Sequence, residues 1–352
     1  MAIEEAKLDQ LVGRFVTDFG AAMHGATVVI GDKLGLYKVL ADKGPLTGAA
    51  LAEHTGYDER LVEEWLNAQF VSGYCEYDPS DGTFQLTDEQ AAVLADESTP
   101  AFLAGAMTIA AAVYKDEENI RNAFVTGRGF GWHEHDHDLF HGTERLFKPG
   151  YLGNLVSLWI PALDGVEDKL RAGAKVADIG CGHGSSTILL AQQYPNSEIV
   201  GFDYHQGSIE TARKRAAEAG VADRVRFEVA SAQDFPGTGF DLVCIFDALH
   251  DMGDPVGGAR HIRDALAEDG TWLLVEPMAV DGLENNVNPV SRIFYAGAVA
   301  ICTPAAEAQA GGYALGNQVS DDRWRELLGE AGYSRFRRAT ETPFNRVFEV
   351  RK

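Results

Sequence analysis

The segment that most constrains this chain is Lys175-Val176-Ala177-Asp178-Ile179 running into Gly180-Cys181-Gly182-His183-Gly184, with a helical pattern from Ser185. A short apolar run that breaks at a glycine turn and resumes as a helix is one strand–turn–helix step of an α/β sheet. Glycines allow the tight turn and let another molecule approach the backbone, while the start of the helix offers free N–H groups to a carboxylate. The spacing is G-x-G-x-G, whereas a dinucleotide fingerprint puts its third glycine one residue later, against a pyrophosphate. Glu198-Ile199-Val200-Gly201-Phe202-Asp203 reads as the next strand, ending in an acid nineteen residues past Gly184. In a doubly wound sheet that acid lies beside the glycine turn, where its two oxygens can accept from the 2′ and 3′ hydroxyls of a ribose.

Around this unit the second half of the chain alternates strand-like and helix-like segments, which predicts a mostly parallel sheet covered by helices. The first half reads differently. Up to about Ser98 the pattern is of short helices followed by a hairpin: Leu34-Gly35-Leu36-Tyr37 leads into a helix ending near Asp42, and Thr47 caps one that stops at Gly56. Asp58 opens a third, closed by Gly73, and strands at 74–77 and 83–86 flank Pro79-Ser80-Asp81-Gly82. Three helices and a wing make a winged-helix order. A chain of 352 residues exceeds what one core usually holds. The expected division is therefore a winged-helix and dimerisation domain at 1–98, a helical linker bordering a pocket at 99–170, and the sheet domain at 171–352 with an insertion at 278–319.

Charge narrows the partners. The formal net charge is −23 and the third helix of the wing module carries Asp58, Glu59, Glu63 and Glu64 against Arg60. A winged helix that reads DNA inserts this helix in the major groove, where phosphates repel such a face. Dimerisation and pocket closure are expected of it, and no nucleic-acid partner. The apolar stretch at 101–114 ends too soon to span a bilayer and is read as a buried helix, so no membrane partner is expected. The four cysteines show no CxxC spacing, no metal site is expected, and a reducing cytoplasm fits. The alternating His133-Glu134-His135-Asp136-His137-Asp138 has no second ligand cluster beside it and reads as a solvated surface loop, with a loop bordering the substrate pocket or a metal site as the alternatives.

The successive segments D-I-G-C-G-H-G, G-F-D-Y-H, F-D-L-V-C-I-F-D-A-L-H-D-M-G-D-P and L-L-V-E-P resemble the motifs of class I S-adenosylmethionine-dependent methyltransferases. With the winged-helix front and the later N-N-V-N-P, C-T-P and T-P-F-N, the whole chain is similar to a bacterial, largely actinobacterial group with an N-terminal winged helix and unassigned substrate. The resemblance implies a Rossmann-like, seven-stranded, mostly parallel sheet that binds S-adenosylmethionine and releases S-adenosylhomocysteine. It places Asp178, Gly180, Gly182 and Gly184 at the methionine end of that cofactor, Asp203 and Tyr204 at its ribose, Ala232 and Gln233 at its adenine, and Phe246 beside it.

The run A-L-H-D-M-G-D-P is similar to the L-H-D-W element of winged-helix O-methyltransferases, in which the histidine is the general base; Met252 stands where tryptophan is usual. His250 and Asp251 follow the fourth strand and Glu276 ends the fifth, at the carboxyl ends where open α/β sheets bind ligands. Transfer from a sulfonium needs chiefly in-line positioning and removal of the acceptor's proton. His250 is read as the base, oriented by Asp251 and Glu276, and Trp132, Arg292 and Tyr295 as lining of a bulky, largely apolar acceptor pocket. The expected activity is O-methylation of a small hydroxylated metabolite by a homodimer. N- or C-methylation on the same fold, and a cofactor-sensing regulator, are the alternatives.

Overall fold

A computed structural model describes residues 3–352. The chain opens on α1 (Glu5–Lys33), followed by α2 (Leu36–Lys43), α3 (Gly48–Thr55), α4 (Glu59–Val71), the hairpin β1 (Glu76–Asp78) and β2 (Thr83–Gln85), α5 (Asp88–Leu94) and α6 (Ala106–Lys115). Next come α7 (Glu117–Thr126) and α8 (His137–Asn154), then α9 (Val166–Ala172), β3 (Lys175–Ile179), α10 (Ser185–Gln193), β4 (Glu198–Asp203), α11 (Gln206–Glu218), β5 (Val225–Val229) and β6 (Phe240–Phe246). The chain closes with α12 (Pro255–Ala265), β7 (Leu266–Pro277), α13 (Pro289–Gly297), α14 (Thr303–Glu307), α15 (Asp321–Glu330), β8 (Arg335–Glu341) and β9 (Asn345–Arg351).

Two compact units result: residues 1–115 with 136–149, and residues 116–135 with 150–352. The stretch 99–170, expected as one linker, is thus divided between them. No helix among the described residues is long and apolar enough to cross a membrane.

In the first unit the winged-helix order is present, with caps where the sequence puts them. Thr47 accepts from the Ala50 N–H at 3.2 Å and Asp58 from the Leu61 N–H at 3.0 Å, each satisfying a donor that the first helical turn leaves open. Val28, Tyr37, Leu40, Leu51, Val62, Trp65, Leu66 and Phe102 form its core. The front of the chain differs from the short helices expected there: α1 is one helix of 29 residues. Leu8, Leu11, Val12, Phe15, Val16, Phe19 and Met23 on it are all exposed, at the three- and four-residue spacing of a single face. The apolar helix expected at 101–114 begins at Ala106, and Thr108 and Ala112 are its buried residues. On α4, Arg60 is bonded to Glu64 and lies 3.4 Å from Glu63, so its own helix neutralises its charge.

The second unit is built on a seven-stranded sheet of order β5-β4-β3-β6-β7-β9-β8, with β9 antiparallel to both its neighbours and the rest parallel. Alternate side chains along each strand serve two separate cores, as a two-residue period requires. Val176, Leu242, Cys244, Leu273 and Val275 face α9, α10 and α11, through Leu170, Leu190, Ile209 and Ala212. Ala177, Val243, Ile245, Trp272 and Leu274 face α12 and α15, through Val256, Ile262, Trp324 and Leu327. All four cysteines are free and buried.

Gly201 in β4 shows how tightly this sheet packs beneath the glycine turn. A Cβ there would lie 2.7 Å from the Phe227 ring and 2.9 Å from Cys181 Sγ. Gly201→Val is expected to cost about 1–3 kcal/mol through overpacking. Thermal unfolding followed by circular dichroism should show a lower midpoint, and an unchanged midpoint would contradict the packing.

Candidate functional site

The turn after β3 is shaped by its glycines. Gly180, Gly182 and Gly184 take φ of +72°, +52° and +83°, a region that L side chains enter only with strain. A Cβ on Gly184 would strike the Phe227 ring at 2.9 Å, so that position packs against protein. Gly182 has nothing within 4 Å and leaves its backbone open to a ligand. Asp178, at the end of β3, is fully buried and accepts from the hydroxyls of Ser186 and Thr187, both at 2.7 Å. It ties the strand to the first turn of α10. Burial pushes its pKa up to about 6 despite these two bonds.

Asp203 ends β4 beside this turn. Its Oδ2 accepts from the Gly182 N–H at 3.0 Å and its Oδ1 from the His205 N–H at 2.8 Å, which holds the carboxylate against the loop and leaves each oxygen a second lone pair. Burial raises its pKa, and those two N–H groups oppose the shift. Tyr204 is exposed and meets His133 edge to face at 6.1 Å. Ala232 is buried, while Gln233 is exposed and donates to the Asp254 carbonyl at 3.2 Å. Phe246 closes β6 against Tyr151 and Trp159, with ring centroids at 5.2 and 6.1 Å.

Across the same sheet edge stands a buried polar cluster. His250 and Asp251 belong to a 3₁₀ turn at Leu249–Asp251, and Glu276 lies near the end of β7. His250 Nδ1 lies 2.6 Å from Glu276 Oε2, and both side chains are buried. His250 Nε2 lies 3.2 Å from Asp251 Oδ1, yet that oxygen has no hydrogen bond. Burial alone would lower the histidine's pKa; the carboxylates of Asp251 and Glu276 outweigh it and hold it well above the ordinary value. Burial raises Asp251, and His250 opposes that shift.

Sequence reading did not single out Cys302. Its Sγ comes within 4.8 Å of both His250 and Asp251, and accepts from Asn317 Nδ2 at 3.3 Å. Burial pushes its thiol up to about 11. The three donor atoms of His250, Asp251 and Cys302 are close enough to share a metal ion, although no metal-binding spacing in the sequence announces them. Asp247, the residue after β6, is a second omission. It holds φ of +49°, unusual for a residue with a side chain, and both its oxygens accept from Asn345 Nδ2, at 3.0 and 3.1 Å. The asparagine of the T-P-F-N run thus has a definite task. Strain at the strand end marks this edge of the sheet.

The remaining candidates lie on the 129–138 segment and on α13. The expected loop at 129–138 forms a 3₁₀ turn at Trp132–Glu134, and α8 begins at His137. Trp132 is half-buried, with its ring 6.5 Å from that of His135. Arg292 is exposed and Tyr295 half-buried on α13, which runs into the π-helical turn Ala298–Cys302.

The comparisons with known proteins agree with this architecture. Residues 170–332 match the model of a methyltransferase domain, and residues 22–96 that of an Rv2258c-like winged HTH domain. The 27-O-demethylrifamycin SV methyltransferase of Amycolatopsis mediterranei is 34% identical over 129 residues, 35% of this chain and 47% of that protein. An uncharacterized methyltransferase of Bacillus subtilis is 32% identical over 127 residues, 35% of this chain and 49% of that protein. The chain spans about half or less of the length of these and the other first curated relatives. Among solved structures, a putative O-methyltransferase of Nostoc punctiforme superposes with a TM-score of 0.70 at 19% identity, over 100% of both chains. Human N-acetylserotonin methyltransferase, solved with its S-adenosylmethionine, superposes with a TM-score of 0.68 at 18% identity over 97% of both chains. Along this chain, then, a stretch similar to a winged helix-turn-helix domain precedes one similar to a methyltransferase domain.

Proposed function

We propose that this protein is an S-adenosylmethionine-dependent O-methyltransferase acting on a small, largely apolar hydroxylated molecule. The observation that carries the reading is the coincidence of two features at one sheet edge: the open glycine turn braced by Asp203, and the buried His250–Glu276 pair. Relatives and structural neighbours described as methyltransferases, some solved with S-adenosylmethionine or S-adenosylhomocysteine, support it.

Gly182 and the start of α10 fit the methionine end of the cofactor, and Asp203 its ribose hydroxyls. Ala232 and Gln233 are assigned to the adenine, with Tyr204 and Phe246 as walls and Asp178 as a brace for the turn. Bound there, the cofactor supplies a methyl group on a cationic sulfur. The chain has to position the acceptor and take its proton. Glu276 orients His250 through Nδ1 and stabilises its charged form, and Nε2 takes the proton while Asp251, one residue on, balances the charge. The apolar residues around Trp132, Arg292 and Tyr295 are assigned to the acceptor.

The clustering of His250, Asp251 and Cys302 favours a second reading, in which a divalent cation on these donors acidifies the acceptor in place of the base. The readings differ in metal content. The acidic third helix of the winged unit, with Arg60 tied to Glu64, supports a role without nucleic acid. The exposed apolar face of α1 supports a homodimer, since two-fold pairing is the commonest way to cover such a face.

Each of these assignments has a measurable outcome. Asp203→Ala removes an acceptor of charge-assisted bonds worth about 1.5–3 kcal/mol each, so calorimetry should show S-adenosylhomocysteine binding weakened roughly tenfold or more. Wild-type affinity would remove Asp203 from the cofactor site. Once an acceptor is in hand, His250→Ala should lower turnover about 100-fold or more with cofactor affinity nearly intact, and Glu276→Gln should cost less. Because carboxylates hold the His250 proton, the wild-type rate should rise with pH to a midpoint above the ordinary histidine value, and Glu276→Gln should lower that midpoint. Turnover lost on chelation, with stoichiometric metal by mass spectrometry, would transfer the role from base to cation. For the dimer, light scattering should give twice the chain mass for the wild type and a single chain mass for a Phe15→Glu, Phe19→Glu double variant. A monomeric wild type would contradict it.

A further inference from the structure

A second histidine–carboxylate pair stands beside the one used above, and the proposed chemistry leaves it idle. His135 Nδ1 lies 2.8 Å from Asp116 Oδ2, and the histidine side chain is fully buried. Its other ring nitrogen, Nε2, is buried without a hydrogen-bond partner. A carboxylate next to Nδ1 fixes the proton there, so a neutral ring presents Nε2 as a bare acceptor. Burial lowers the pKa of His135, with Asp116 opposing it, which keeps the ring neutral. An acceptor left unpaired inside a protein is unfavourable, and a ligand with the matching donor removes that cost.

The segment carrying this ring runs along the same sheet edge. The Phe130 N–H donates to the Pro304 carbonyl at 2.9 Å, and Gly129 at φ +70° sits so close to Pro304 and Ala308 that a Cβ would lie 2.3 Å from the Ala308 nitrogen. This fastens the segment to α14, which begins directly after Cys302. The far end of α14 is fastened in turn to the His250 turn, because Gln309 Nε2 donates to the Asp251 carbonyl at 2.7 Å. In the other direction His133 reaches Tyr204, next to Asp203. His135 Nε2 thus stays without a hydrogen-bond partner, while Asp251 Oδ1 has the His250 ring at 3.2 Å.

We infer that His135, held by Asp116, is a second polar anchor of the acceptor pocket, and that the methyl acceptor carries a further hydrogen-bond donor, a hydroxyl or N–H, besides the group that is methylated. The inference rests on the acceptor binding at this strand edge, as in the reading above, and it names the acceptor class more narrowly: an apolar scaffold with at least two donors. His250 takes the proton of one; Nε2 of His135 receives the other and fixes which of them points at the methyl group.

The probes are catechol, resorcinol and 1,8-dihydroxynaphthalene, each against its one-hydroxyl counterpart, phenol or 1-naphthol, titrated calorimetrically into the full chain saturated with S-adenosylhomocysteine. At least one diol should bind about tenfold tighter than its counterpart, the worth of one good hydrogen bond. His135→Phe should abolish that gain while changing the counterpart's affinity less than twofold. Asp116→Asn, which keeps the volume but frees the ring to change tautomer, should reduce the gain and decides the matter if the phenylalanine variant fails to bind S-adenosylhomocysteine. No diol gain in the wild type, as when a buried water already satisfies Nε2, overturns the inference. So does a gain that survives in both variants. A His250→Ala protein that keeps its turnover would overturn the general base yet leave the diol gain standing, so the two failures are distinct.

Discussion

Everything at the proposed reaction centre depends on a carboxylate that the sheet buries. Glu276 is completely inaccessible in β7, and a polar group at such a depth needs partners. It has His250 at 2.6 Å and, opposite it in the β7–β9 register, Arg346. The Arg346 guanidinium is itself fully buried, and is met by Asp321 at 2.7 Å and by the carbonyls of Pro277 and Val319 at 2.9 and 2.7 Å. Removing one member of such a set strands a charge in the interior at a cost of about 3–5 kcal/mol. The histidine is therefore held by a carboxylate that β7 itself carries, and its orientation is a property of the fold.

This explains why one edge of the sheet collects so many uncommon features. Asp247 in a left-handed conformation, three positive-φ glycines in one turn and the buried His135 Nε2 without a hydrogen-bond partner all belong to the carboxyl ends of the strands and the segments packed over them. Each costs free energy taken alone. The two cores on the opposite faces of the sheet, with Trp272, Trp324, Trp159 and Phe348 fully buried, provide the rigidity that holds these costs in place. A methyl transfer gains most from such fixed geometry, since little covalent help is needed beyond alignment and one proton.

What the sequence made legible divides along the same physical line. The glycine turn, Asp203 and the wing module are local: a strand, a turn and a helix within a few tens of residues, each with its own backbone signature. His250 and Glu276 were readable because both fall at strand ends whose order the fold dictates. Cys302 and the His135–Asp116 pair were not, because their meaning lies in contacts across the chain. Cys302 comes to His250 from fifty-two residues away, on a π-helical turn that no periodicity announces. In the His133–Asp138 run, the alternation of histidine and acid suggested a solvated loop. A 3₁₀ turn instead buries His135, while Asp136 and Asp138 turn to Lys115 at 2.9 and 2.7 Å.

The long α1 illustrates the opposite failure. Its apolar residues follow a helical period clearly, yet most of them are exposed, which a search for buried helix faces passes over. An apolar stripe of seven exposed side chains on one helix contributes nothing to the core of its own chain, so the period there cannot be read as a buried face. Backbone-determined features, the cofactor turn above all, can thus be read from local sequence. Features defined by what lies opposite them, such as Cys302 beside His250 or Asp116 beside His135, become readable only when the fold places them side by side.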